Sequence, residues 1–223
     1  LLCCMVLTLL PTTVLAADGP MDTIPKYDVS IDVYNRTSDI SIKDSRSYYI
    51  YSSVPDKLRD TWAWDKKIFI KGDKTAPHVF IDGVNIKMSP SSKGPAIELN
   101  KKASAYIYFI GKDSSLQGAD GRAAIQKNRS EGQLYVLART GTTVTCKGGY
   151  RAAGIGGSWA IRNIGDSMFN MDMYGHGVNM HFGSQSNPDY WGGTINATGG
   201  EYGAGIGAGS WGHSGYSGNT IHG

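Results

Sequence analysis

The strongest constraint on this chain is an internal repeat. Four segments place a pair of small residues before an isoleucine: Pro95-Ala96-Ile97, Ala123-Ala124-Ile125, Ala153-Gly154-Ile155-Gly156 and Ala204-Gly205-Ile206-Gly207. The isoleucines are 28, 30 and 51 residues apart. Eleven positions before three of them stand Ile86, Val144 and Ile195; before Ile125 the counterpart is Leu116, nine positions earlier. Polar turns lie between, as in Lys147-Gly148-Gly149-Tyr150-Arg151 and Thr198-Gly199-Gly200-Glu201-Tyr202. A unit of this length cannot bury its own apolar face and must stack on its copies. The expected fold is all-β, a single-stranded parallel β-helix (a solenoid) with Gly-rich corners. Ile97, Ile125, Ile155 and Ile206 should then form one internal column. The 51-residue step reads either as two short coils or as one coil with a loop inserted near Ser184–Tyr190.

The local pattern agrees. Alternating runs occur at Tyr27–Val33, Tyr48–Tyr51, Ile68–Ile70, Val79–Ile86, Tyr106–Ile110, Leu134–Leu137, Thr143–Cys146 and Thr194–Ala197, the period of strands rather than helices. The nearest thing to a helix is Asp56–Trp62, one or two turns. Of 30 glycines, 22 fall in 141–223. They follow no triplet rule and prolines number only 8, which excludes collagen. Interleaved β-branched residues argue against a disordered linker. A sandwich or propeller is the structural alternative.

Residues 1–16 are apolar, broken by Pro11, and end in Val14-Leu15-Ala16, the pattern of a cleaved secretory signal peptide. The expected location is therefore secreted or at the cell surface, with no membrane span in the mature chain. Residues 17–40 read as a lead-in cap and 41–223 as the β-helix. Thr220-Ile221 restarts the strand pattern of Thr194-Ile195, so the domain reads as truncated at its C-terminus. Beyond the signal segment Cys146 is the one cysteine, so stability must come from core and ladder, with Cys146 an inert core thiol.

The Ala-Gly-Ile-Gly and Gly-Gly-Thr-Ile-Asn-Ala-Thr-Gly-Gly segments resemble the repeat of secreted bacterial β-helix proteins known as carbohydrate-binding-domain proteins. The earlier Tyr48-Tyr49-Ile50-Tyr51, Ile68-Phe69-Ile70-Lys71-Gly72 and Val79-Phe80-Ile81-Asp82-Gly83 are similar too. The resemblance covers about residues 40–223. It implies export and binding of plant polysaccharides or acidic sugars, with calcium possible and no demonstrated cleavage.

The residues themselves point to sugar at two places. Trp159 and Trp211 follow the two strongest repeats, and Trp191 and Tyr202 share their Gly-rich third; exposed rings of this kind stack on sugar faces. Residues 66–162 hold 16 Lys/Arg against 6 Asp/Glu, while both flanks are acidic. Coils follow one another in space as in sequence, so this should form a positive band. Lys101, Lys102, Arg122, Lys127 and Arg129 are its candidate contacts for an acidic glycan. The expected function is a non-catalytic, exported glycan-binding or adhesion module, with polysaccharide rather than nucleic acid as partner.

Two rivals stand. A polysaccharide lyase or hydrolase would draw on Asp113, Asp120 and Glu131 near Arg122, Lys127 and Arg129; Gly175-His176-Gly177 matches only one element of the polygalacturonase set. The other is a purely structural stalk or adhesin; an ice-binding surface on it would need a flat, regular threonine array, and Thr143, Thr145, Thr194, Thr198 and Thr220 do not recur at one repeat position. His176 and His181 lack a third zinc ligand, and no metal site follows from the sequence.

Overall fold

A computed structural model describes residues 25–89, 92, 94–100, 102–127, 131–159, 177–184, 189–210 and 220–221. The chain is an all-β solenoid in which three parallel sheets form the walls. It enters with β1 (Val29–Asp32), β2 (Ile40–Ile42), β3 (Ser47–Tyr51) and β4 (Ile68–Ile70). Four coils with three strands each follow. They are β5 (His78–Asp82), β6 (Asn85–Lys87), β7 (Ile97–Leu99); β8 (Ala105–Ile110), β9 (Ser114–Gln117), β10 (Ile125–Lys127); β11 (Leu134–Ala138), β12 (Thr143–Lys147), β13 (Ile155–Gly156); and β14 (Met180–Phe182), β15 (Thr194–Thr198), β16 (Ile206–Gly207). β17 (Thr220–Ile221) starts the next. The first wall is β1-β3-β5-β8-β11-β14-β17, the second β6-β9-β12-β15 and the third β2-β4-β7-β10-β13-β16. Between Pro55 and Trp64 a single 3-10 turn, Asp56–Leu58, stands where a short helix is expected. No helix among the described residues is long and apolar enough to cross a membrane.

The expected column is present, and longer than the repeat shows. On the third wall Ile40, Ile68, Ile97, Ile125, Ile155 and Ile206 pair in unbroken parallel register. The first five are buried, and Ile206 is half-buried against the same core. Ile40 and Ile68 escape the motif because Asp39 and Lys67 precede them. On the second wall Ile86, Leu116, Cys146 and Ala197 form the matching column. This corrects the sequence alignment by two residues: the nine-residue offset of Leu116 is the rule, and Ile86 sits eleven back because its corner is longer. Both readings keep the same face inward, since the strand period is two. Cys146 is fully buried, and that burial pushes its thiol up, away from reactivity.

The 51-residue step is one coil. β14, β15 and β16 pair directly with β11, β12 and β13. From Ile155 to Met180 the chain takes 25 residues, against 9 from Ile125 to Leu134; from Met180 to Thr194 it takes 14, against 9 from Leu134 to Thr143. The insertion near Ser184–Tyr190 is thus the smaller of two. The larger precedes β14, and much of it lies outside the described residues.

At the corner between the second and third walls the coils approach so closely that a side chain has no room at Gly149 or Gly200. A Cβ on Gly149 would lie 1.9 Å from the Ala119 carbonyl oxygen, and one on Gly200 2.0 Å from that of Gly149. Instead Gly149 N–H donates to Arg122 C=O at 2.9 Å, and Gly200 N–H to Ala152 C=O at 2.9 Å. Backbone ladder and aliphatic column thus hold the same coils together. Trimming Ile155 to Ala should cost about 2–5 kcal/mol through lost burial and the cavity left behind. Chemical denaturation of the two proteins measures this; a loss below about 0.5 kcal/mol, the size expected of a surface substitution, would remove Ile155 from the core.

Candidate functional site

The three walls present different chemistry outward. The first carries aromatic rows. His78, Tyr106, Tyr135 and His181 occupy successive strands with ring centroids 4.7, 4.5 and 4.5 Å apart and planes within 15°. Beside them Tyr49, Phe80, Tyr108 and Leu137 form a second buried cluster, with Tyr51 and Trp191 packed against it. Rings stacked coil on coil spend their faces on one another, so this wall offers a ligand mostly ring edges. Burial pushes the Tyr106 and Tyr108 phenols up and lowers His78. Trp191 sits half-buried 5.1 Å from Tyr108 and 4.3 Å from Tyr190, a position inside this stack rather than at an open platform.

The second wall is polar. Asn85, Ser115, Thr145 and Asn196 form one outward row, and Lys87, Gln117, Lys147 and Thr198 another. Thr143 does pair with Thr194, contrary to expectation, but Thr145 faces Asn196 and Thr198 faces Lys147. The threonine array therefore extends over two coils at one row only.

The corner between second and third walls is different. Gly121, Arg151 and Tyr202 hold the same place in three successive coils, and all are left-handed, with φ of 73°, 60° and 64°. The Gly121 and Arg151 amides donate to the Tyr150 and Glu201 carbonyls of the following coil, at 2.9 and 3.0 Å. Glycine fits such a place freely, whereas an L-residue costs roughly 1–2 kcal/mol there. Arg151 and Tyr202 bear that cost and so carry side chains at the outermost point of the corner. Trp159 joins them: its amide donates to the Gly121 carbonyl at 2.9 Å, and its ring lies over the space that a Gly121 Cβ would enter. Tyr150 meets Trp159 edge to face at 6.2 Å. The Arg151 guanidinium lies 4.9 Å from the Tyr150 ring, 5.0 Å from Trp159 and 5.7 Å from Tyr202. Tyr202 is 70% exposed and Tyr150 40%, so these side chains reach solvent.

Of the four aromatic residues singled out in the sequence, Trp159 and Tyr202 each border Arg151 at this corner, Trp191 lies on another wall, and Trp211 falls outside the described residues. Tyr150 and Arg151 were missed. The signal for them was available in the repeat register, which aligns Arg151 with Gly121 and Tyr202.

The acidic-glycan set does not assemble. Lys102 is exposed between β7 and β8, Arg122 is half-buried between β9 and β10, and Lys101 and Arg129 lie outside the described residues. Lys127 is corrected outright. It occupies the inward position of Ile70 and Leu99 and is 2% exposed, with Nζ donating to the Glu131 carbonyl at 2.9 Å. No ligand on the surface can reach it. Three further cations of the expected band are paired: Lys66 with Asp65, Lys67 with Glu98, and Lys112 with Asp56. The lyase acids also separate. Asp113, Asp120 and Glu131 stand at three different corners of one coil, and the Asp113 carboxylate accepts the Thr143 amide at 2.7 Å. Gly175 and His176 lie outside the described residues. No group of three or more His, Cys, Asp or Glu gathers among the described residues, so the calcium that the resemblance implies has no ready donor set there.

No family model, characterised protein or solved structure matches this chain at a significant level. The functional reading therefore rests on the geometry.

Burial lowers Lys127 to about 8, against the opposing pull of Glu131. Below that pH both folded and unfolded chains hold the proton, and the full cost of a buried ammonium is present. Between about 8 and the ordinary lysine value near 10.4 only the unfolded chain holds it, so stability rises with pH. Lys127→Met should remove this rise, worth about 2–3 kcal/mol. Denaturation of both proteins across that range checks it; identical pH slopes would place the amine in water.

Proposed function

We propose that this chain is an exported glycan-binding module, and that the corner formed by Tyr150, Arg151, Trp159 and Tyr202 is its sugar site. The observation that carries the reading is the pair of left-handed residues. Strain at a surface corner has no packing return when the side chain is 70% exposed, as Tyr202 is, and strain of this kind clusters at functional sites. Flat rings with open faces take the apolar face of a pyranose. Two of the ring-bearing residues sit on backbone clamped between coils, so little freedom is lost on binding. The separated acids favour binding without cleavage. Export, to the medium or the cell surface, is part of the proposal and rests on the apolar segment 1–16.

Tyr202→Gly is the sharpest test, because glycine suits the backbone there and the fold should persist or gain stability. Binding to the recognised polysaccharide, found by screening a glycan array, should weaken about two- to tenfold in this variant and in Trp159→Ala. No reducing ends or unsaturated uronides should appear on incubation. Unchanged affinity in both variants would displace the site from this corner.

A further inference from the structure

Arg151 is placed to do more than support the rings. Three aromatic side chains border its guanidinium. Among the described residues no carboxylate forms an ion pair with it. Its Nε is buried and has no hydrogen-bond acceptor. A guanidinium presents its donors as a planar fork whose geometry matches two oxygens of one anionic group. Glu201 and Asp120 are close in the corner sequence, yet neither pairs with it.

We infer that Arg151 makes the corner selective for a sugar bearing an anionic oxygen substituent, a carboxylate or sulfate ester, held by a two-pronged hydrogen bond while the sugar ring rests on Tyr202 or Trp159. This rests on the glycan-binding reading and changes its electrostatics. Selectivity comes from one short-range contact in a partly desolvated aromatic seat rather than from a positive band spread over several coils. Such a contact is screened by salt far less than exposed charges a Debye length apart. It also demands arginine: a lysine ammonium carries the charge but not the fork.

The test keeps one polymer backbone and varies the substituent: dextran, carboxymethyl-dextran and dextran sulfate, titrated against the wild type, Arg151→Gly, Arg151→Lys and Tyr202→Gly. Arg151→Gly should fold, because Gly121 already fills that place one coil earlier; far-ultraviolet circular dichroism verifies it. The expected result is preference of the wild type for at least one charged dextran, lost about ten- to hundredfold in Arg151→Gly. Arg151→Lys should not restore it, and raised ionic strength should erode it only weakly. Binding of neutral and charged dextrans with equal affinity, unchanged in Arg151→Gly, would overturn the inference and leave the stacking site intact. So would a preference that Arg151→Lys retains or that vanishes with salt, since either reports diffuse charge. If no dextran binds, and the array finds no other glycan, the glycan reading itself fails with it. Tyr202→Gly separates the two failures: it should weaken neutral and charged polymers by a similar factor, whereas Arg151→Gly, which also removes a neighbour of the three rings, should weaken the charged ones by a clearly larger factor than the neutral one.

Discussion

Everything in this structure depends on the parallel hydrogen-bond ladder between one coil and the next. Ladder spacing is fixed at about 4.8 Å, so each inward position meets its own counterpart above and below. That is why one residue type recurs down a column from Ile40 to Ile206. It is also why the corner glycines cannot be exchanged. Gly149 and Gly200 let neighbouring backbones come within hydrogen-bonding reach, and the aliphatic columns close only at that distance.

The same rule governs the outside. Whatever stands at an outward position is repeated one ladder step away, so aromatic residues on the first wall stack on each other and consume their own faces. A binding platform arises only where the repetition breaks. Replacing glycine by Arg151 and then Tyr202 at one corner is such a break. The proposed site is therefore a deviation from the repeat, assembled from three coils, on a frame that the repeat itself holds rigid.

This explains what was legible beforehand. The solenoid and the isoleucine column followed from the small-small-Ile motif, because burial and close approach leave compositional traces, and the buried Cys146 from its being the one cysteine beyond the signal segment. Strands such as β10 and β16 were harder, since two or three residues show no alternation. Lys127 misled because charge counts ignore facing: Ile125-Gln126-Lys127 lies in register with Ile97-Glu98-Leu99, which puts the lysine under a leucine. The candidate cations scattered for a related reason, since carboxylates distant in sequence, Glu98 for Lys67 and Asp56 for Lys112, come within ion-pair reach when the coils stack. Trp159 and Tyr202 were found as aromatics but not as partners, because what joins them is Arg151, a residue conspicuous only once three coils are superposed.

The long coil carries a different consequence. Between β13 and β16 the chain spends 21 residues more than the preceding coil, yet the strands on either side keep their register. Loop closure grows only logarithmically with length, about 0.6 kcal/mol per doubling, whereas a slipped ladder forfeits every contact of the coil. Chain length and cross-section are thus uncoupled at the turns. A gene encoding such a tube can acquire or lose whole surface features at a corner by insertion and deletion, while the walls go on imposing the same cross-section.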